Sequence, residues 1–198
     1  MAATSEPEGA TPLDPDELAG LRFRHVTTRG ELDELEQVNI ESCLLWLSRR
    51  RRKTDVLSEQ FIRQLHRQMF GEVWKWAGAF RLTEKNIGAD PIQIGVLLRM
   101  LLDDARFWAA HGTYNELETA ARFHHRLVQI HCFANGNGRH ARLAADTYLR
   151  EYFNHPPIDW AAGHDLTRSS ERRDDYIAAL RAADRGEYDR LLRFVGAQ

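Results

Sequence analysis

A mostly α-helical bundle with one small β-hairpin is the fold class this sequence predicts, on three observations. Apolar residues recur every three or four positions through successive segments. Ser and Thr stand at helix starts, where their oxygens can accept from unpaired backbone N–H groups. Strands alternating with helices are absent, so a parallel α/β sheet is not expected, and only the stretch 71–94 loses the helical period.

The elements follow in chain order. The first ~20 residues are rich in Pro, Glu, Asp and Gly, the composition of a mobile tail. Thr28-Arg29-Gly30-Glu31 reads as a capping box. Leu32, Leu35, Asn39, Cys43 and Trp46 follow at helical spacing, which predicts a helix over roughly 29–49. It ends in the basic run Arg49–Lys53, which suits the negative end of a helix dipole. Ser58 caps the next helix, with Phe61, Ile62, Leu65 and Met69 on one face. A loop with Trp74, Trp76 and Gly78 leads to the predicted hairpin, around Phe80–Ile87 and Ile92–Ile94. Helices are then expected at roughly 95–110, 115–131, 138–153, 165–184 and 187–195, with Pro156-Pro157 stopping the third of these. The chain thus divides into a tail over 1–28, a helix with its basic run over 29–54, and a core over 55–198.

Composition narrows the function classes. The 198 residues fit one domain with an appendage. Lys plus Arg is 27 against 29 for Asp plus Glu, and the net charge of -2 opposes a protein that coats nucleic acid. Mean hydropathy is -0.52, and no apolar run nears the ~20 residues of a bilayer span. The acidic start lacks the apolar core of a secretory signal. Two cysteines, Cys43 and Cys132, are too few for a disulfide framework or a four-cysteine zinc site, and a reducing, cytoplasmic setting is expected.

The chemistry concentrates in Gln129–Arg142. Gly136-Asn137-Gly138 joins two predicted helices. Glycines let backbone N–H groups approach a ligand closely, and the first N–H groups of the following helix form an anion site. Arg139 and Arg142, at i and i+3, project from one face of its first turn. Together they suit a polyphosphate. His131, at the end of the preceding helix, overlooks that site and can take a proton near neutral pH from an incoming hydroxyl.

This stretch, His131-x-Phe133-x-Asn135-Gly136-Asn137-Gly138-Arg139-x-x-Arg142, resembles the Fic signature His-x-Phe-x-Asp/Glu-Gly-Asn-Gly-Arg-x-x-Arg. The likeness runs from about 55 to 195. It takes in Phe61–Phe70, Trp74-x-Trp76-Ala77-Gly78-x-Phe80-Arg81 and Ala182–Asp189. The fuller pattern Asn-Gly-Asn-Gly-Arg-His-Ala-Arg-Leu is similar to the Fic subgroup called mobile mystery protein B. The resemblance implies a bacterial protein adenylyltransferase that moves AMP from ATP, with Mg2+, onto a Ser, Thr or Tyr hydroxyl of a target protein. It implies His131 as general base and Phe133 as the core anchor of the loop. Gly136, Asn137 and Gly138 would cradle phosphates, Arg139 would take the β-phosphate region and Arg142 the γ-phosphate. Glu84, Lys85, Asn86, Ile87 and Gly88 would form a target-docking flap. Asn135 stands where the family carries a metal-binding Asp or Glu, and a neutral amide should hold Mg2+ less tightly. Cys132, where many members have proline, reads as a small buried filler.

Two regulatory readings follow from the resemblance. Thr4–Gly9 matches the string of a Fic inhibitory helix, but Pro7 falls inside it, so a chance match is favoured. A small antitoxin is the other route. Three other functions compete with this one. A metal hydrolase would draw on His124, His125, His131 and His140, yet adjacent His124-His125 face different ways. A nucleic-acid module would rest on Arg49–Lys53, a run more often a solvated helix end. A Fic-fold toxin or interaction protein could use another nucleotide or phosphate donor.

Overall fold

Side-chain caps begin two helices where the sequence placed them, at Thr28 and Ser58. In a computed structural model that describes residues 13–23, 25–26, 28–50, 55–162, 166 and 170–197, Thr28 Oγ1 accepts from the Glu31 N–H while Glu31 returns a bond to the Thr28 N–H. This box opens a helix over Arg29–Arg49. Ser58 caps Glu59–Phe70, Asn115 caps Glu116–Ile130 and Ser170 caps Glu171–Ala183. Each such cap contributes about 1 kcal/mol. With the short helix Pro15–Leu18 as α1, these helices are α2, α3, α5 and α7; Ile94–His111 is α4, Asn137–Tyr148 is α6 and Asp189–Phe194 is α8. A π-helical turn, Leu149–Phe153, prolongs α6.

The core lies among α3, α4, α5 and α6. Phe61, Ile62, Leu65, Met69 and Phe70 of α3 are buried, as are Leu98, Leu101, Leu102 and Ala105 of α4. Ala120 and Ala121 on α5 and Ala141, Ala144 and Ala145 on α6 are also buried. Such small side chains let two helix backbones approach closely, and α5 and α6 pack on each other. The Tyr148 hydroxyl donates to Ala105 O, so the far end of α6 is tied to α4. Helix α2 covers α3. It buries Leu32, Cys43 and Leu47 but also Glu36 and Asn39. Asn39 earns its place by bonding Gln68 O and the Glu72 N–H at the end of α3. No helix among the described residues is long and apolar enough to cross a membrane.

Two expectations need correction. The hairpin over Phe80–Ile87 and Ile92–Ile94 does not form. Residues 80–90 are loop, Pro91–Gln93 is a 3-10 turn and Ile94 already belongs to α4. The loop's edges pair with the end of α5 and the chain just after it instead of with each other: Arg81 N–H donates to Cys132 O and Ala89 N–H to Ile130 O. Asp90 accepts from the Ile92 N–H, and Pro91 presets the torsion of a first helical turn, so the apolar residues after it enter a helix. Among the described residues one isolated antiparallel β-bridge joins Leu21 to Trp74. The helix expected from 165 starts at Glu171, behind its Ser170 cap.

The tail assigned to 1–28 divides. Residues 1–12, with the Thr4–Gly9 string, lie outside the described residues. Residues 13–23 pack onto the body through α1 and through Arg22 N–H to Val73 O and Lys75 N–H to Gly20 O. Of the basic run, 51–53 also lies outside the described residues. Arg50 is committed to Glu151 and to the Phe61 ring, which removes it from any nucleic-acid patch.

Candidate active site

Helix α5 ends at Ile130, and His131 turns the chain in the left-handed conformation, φ 57 and ψ 60. That conformation costs a non-glycine residue about 1–2 kcal/mol, so neighbours must hold it. Arg81 is the main holder. Its Nε donates to His131 O at 2.6 Å, and its two terminal nitrogens donate to Thr83 O and Ala89 O. One buried guanidinium thus closes the loop 81–89 and fixes the histidine. Gly88 passes directly over His131: a Cβ there would stand 2.6 Å from the histidine Cβ, and its φ is +105. Only glycine fits that crossing.

The signature loop is built from inside. Phe133 is fully buried and stacks on His66 at 3.8 Å. His66 Nδ1 accepts from the Gly78 N–H and its Nε2 donates to Asn135 O, which fixes the ring's tautomer. Asn137 bonds both backbone groups of Phe133 through its carboxamide. Its side chain therefore shapes the loop, leaving its backbone as the part that can face a ligand. Asn135 Oδ1 accepts from the Gly136 N–H at 2.6 Å. A Cβ on Gly136 would lie 2.6 Å from the Phe70 ring, so glycine is required there too. No side chain caps the start of α6, where the free N–H groups of a first turn point outward.

Both signature arginines are held in place. Arg139 pairs with Glu36 at 2.6 Å and lies over the Phe70 ring. Glu36 accepts from Trp74 Nε1 as well, so α2 and α3 jointly orient Arg139. Arg142 lies over the Tyr176 ring at 5.4 Å, and Tyr176 exchanges a hydrogen bond with the buried His124 at 3.0 Å. A cavity of about 610 Å³ opens between these groups, within the usual range for small-molecule sites. Its walls include His131, residues 135–139, Arg142, Ile87, Gly88 and Asp33, with Arg173, Tyr176, Ile177, Leu180, Arg181 and Asp184 of the α7 side opposite.

The structure thus brings His131, Asn135, Gly136, Asn137, Gly138, Arg139 and Arg142 to one cavity, while Phe133 lies beneath it. The flap set separates. Ile87 and Gly88 line the cavity, Glu84 and Asn86 are exposed outside its lining, and Lys85 is buried against α1. Sequence reasoning missed Glu36, Arg81, Asp33 and the α7 face. For α7 a signal existed: Arg173, Tyr176, Ile177, Leu180 and Asp184 recur at helical spacing. Cys132 is the buried filler expected, its thiol pushed up to about 12 by burial. His124, His125 and His140 bond Tyr176, Asp184 and Ile62 O respectively. Among the described residues no group of three or more His, Cys, Asp or Glu is placed to hold a metal ion.

Burial governs the histidine protonation. Loss of water, with Arg81 and Lys85 nearby, lowers His131 to about 4, against the upward pull of the Val128 backbone carbonyl. Burial lowers His140 to about 4 and pushes His66 and His124 down. Unfolded, these rings titrate near 6.5. Between those values the unfolded chain binds more protons, so stability is full above pH 6.5 and is lost as pH falls toward 4. For His131 and His140 the change amounts to about 3 kcal/mol each at full expression. Asp146, raised to about 6 by burial, runs the other way but is one group against four. The melting temperature should therefore fall steadily from pH 6.5 to 4.5. Equal melting at pH 7 and pH 5 would contradict the neutral, buried state of these rings.

Comparison with known proteins agrees with this geometry. A model of the Fic/DOC family matches residues 56–149. A protein adenylyltransferase Fic of Drosophila grimshawi is 30% identical over 138 residues, 68% of this chain and 27% of that protein. The protein adenylyltransferase fic-1 of Caenorhabditis elegans is 28% identical over 167 residues, 81% of this chain and 31% of that one. The chain spans about a third or less of the length of these curated relatives. Two solved structures share the fold. The N-terminal FIC domain of Bep8 from Bartonella sp. 1-1C has a TM-score of 0.69 at 14% identity, over 89% of this chain and 88% of that one. Fic-1 of C. elegans has 0.65 at 24% identity, over 89% of this chain and 51% of that one. Signature, fold and relatives converge, and the chain belongs to the Fic/DOC family through a domain that includes residues 56–149.

Proposed function

We propose that this chain is a protein adenylyltransferase that moves AMP from ATP to a hydroxyl of a target protein. The observation that carries the reading is the convergence of His131 and the uncapped start of α6, with Arg139 and Arg142, on one cavity. An uncapped helix start with two fixed arginines suits a polyphosphate, and a neutral imidazole beside it suits a proton acceptor.

In this reading the target hydroxyl oxygen forms a bond to the α-phosphorus. The bond from that phosphorus to the bridging oxygen breaks, and pyrophosphate leaves with the bond electrons. The hydroxyl proton passes to the His131 imidazole. A pKa of about 4 would make His131 a weak base in the empty site. Nucleotide phosphates bring negative charge beside it, which favours the imidazolium and moves the ring back toward neutral pH. Arg139 and Arg142 neutralise the leaving pyrophosphate and set the α-phosphate in line. Asn137 and Gly138 contribute backbone N–H groups to the same anion, while the Gly136 N–H is given to Asn135 Oδ1 and the glycine serves the tight turn.

The loop offers Mg2+ one hard but neutral side-chain oxygen, Asn135 Oδ1, which already accepts from Gly136. That fits a largely hydrated ion whose charge partners are the nucleotide phosphates. Bound there, the ion would help neutralise the triphosphate. The reading is tested by incubating the purified chain with a cell lysate and α-labelled ATP, GTP, CTP or UTP, then identifying labelled proteins by mass spectrometry. Label from ATP on Ser, Thr or Tyr is the expected result. Absence of label from every nucleotide would overturn it.

A further inference from the structure

Lys85 sits in a loop that is otherwise open to water, with Leu82 90% exposed and Glu84 and Asn86 also exposed. Its own side chain is only 3% exposed. The ammonium donates to Asp14 Oδ2 at 2.8 Å and to the Glu17 carboxylate. Thr83 Oγ1 donates to the same Asp14 oxygen at 2.9 Å. Those carboxylates come from residues 13–23, which are bolted to the body on their other side. Trp76 Nε1 donates to Glu17 O, Lys75 N–H to Gly20 O, and Arg22 Nε to Gly71 O.

We propose that Lys85 is a positioning residue for target docking, held by a strap over residues 13–23 whose Asp14 and Glu17 grip it. The proposal rests on the adenylyltransferase reading above. Arg81 hydrogen-bonds the loop at Thr83 and Ala89, on either side of Lys85. Between those two bonds Gly88 crosses over His131, and the strap grips the same stretch through Lys85. A buried ammonium has to keep its partners, so the loop cannot swing without releasing both carboxylates. Strap and loop therefore move together, and the surface beside His131 is set from the N-terminal segment. The groups offered to the nucleotide phosphates come from 136–142, outside this contact.

The test compares the full chain with Lys85→Met and with Asp14→Asn/Glu17→Gln. Hydrogen exchange is read at amides 83–89 without nucleotide, and AMP transfer is read against lysate concentration at saturating ATP. Both variants should exchange about tenfold faster or more at 83–89, with α3–α6 unchanged. The half-saturating lysate concentration should rise about fivefold or more, with the plateau rate within about twofold. Lys85→Glu should lose protection, and Lys85→Glu/Asp14→Lys/Glu17→Lys should recover it. Unchanged exchange at 83–89, exchange raised equally throughout the helices, or a fallen plateau at unchanged half-saturation would each overturn the proposal. A parent chain that transfers no AMP would sink the adenylyltransferase reading and the docking role with it. The exchange measurement would still decide separately whether the strap holds the loop.

Discussion

His131→Ala is expected to cut AMP transfer by about 10²–10⁴-fold while leaving ATP affinity nearly unchanged. The separation follows from where the groups come from. The imidazole belongs to the end of α5, whereas the phosphate contacts belong to the start of α6 and its arginines. The backbone conformation at 131 is anchored through its carbonyl by Arg81, and alanine keeps that carbonyl. Alanine also reduces crowding under Gly88, so the loop should stay in place. Transfer rates at saturating ATP and ATP binding, measured on the same preparation, check both halves. A variant that transfers at the parent rate would remove His131 from the reaction. One that loses ATP binding as well would make it a structural residue.

The pH dependence of transfer by the parent chain sharpens this. A histidine at about 4 stays neutral over the whole physiological range, so in the proposed reaction it needs no deprotonation step before nucleotide binds. The acid limb of kcat/KM, which reports the free enzyme, should therefore lie well below the 6.5 of a solvated histidine, and that of kcat should lie higher once phosphates are bound. Two limbs at the same pH would argue that nucleotide charge does not reach the ring.

What could be read from the sequence divides by distance along the chain. Helix α2 begins where Thr28 and Glu31 said it would, because a capping box is satisfied within four residues. The glycine turn at 136–138 and the two arginines after it are likewise local, and their shared orientation follows from helical geometry. The hairpin failed because its edges found partners on another segment: Arg81 and Ala89 bond Cys132 and Ile130, contacts that no local pattern announces. Glu36 reads in sequence as one more acid on a charged helix, yet it is buried between Arg139 and Trp74. Lys85 reads as a surface cation of a flap and is buried by carboxylates about seventy positions earlier. In each case the missing information was a long-range partner for a polar group, which burial makes obligatory but the sequence does not name.

The second large effect is expected at Arg142. Its guanidinium lies over the Tyr176 ring, and Tyr176 is itself fixed by His124 deep in the core, so the arginine meets its ligand already oriented. Orientation is where such a residue acts: a misaligned α-phosphate loses the proximity advantage even when the nucleotide is fully bound. Arg142→Ala should lower transfer about 10²-fold or more at saturating ATP, with a much smaller loss in ATP affinity. Arg142→Lys should not restore it, because a lysine keeps the charge but lacks the planar fork that both stacks on the ring and bonds two phosphate oxygens. Tyr176→Phe should fall between parent and alanine variants: the ring face remains under Arg142, while the hydroxyl that ties it to His124 is lost. Transfer rates for the three variants at saturating ATP order these contributions. If Arg142→Lys works as well as the parent, charge alone suffices at this position. The stacked geometry over Tyr176 would then have no part in aligning the nucleotide.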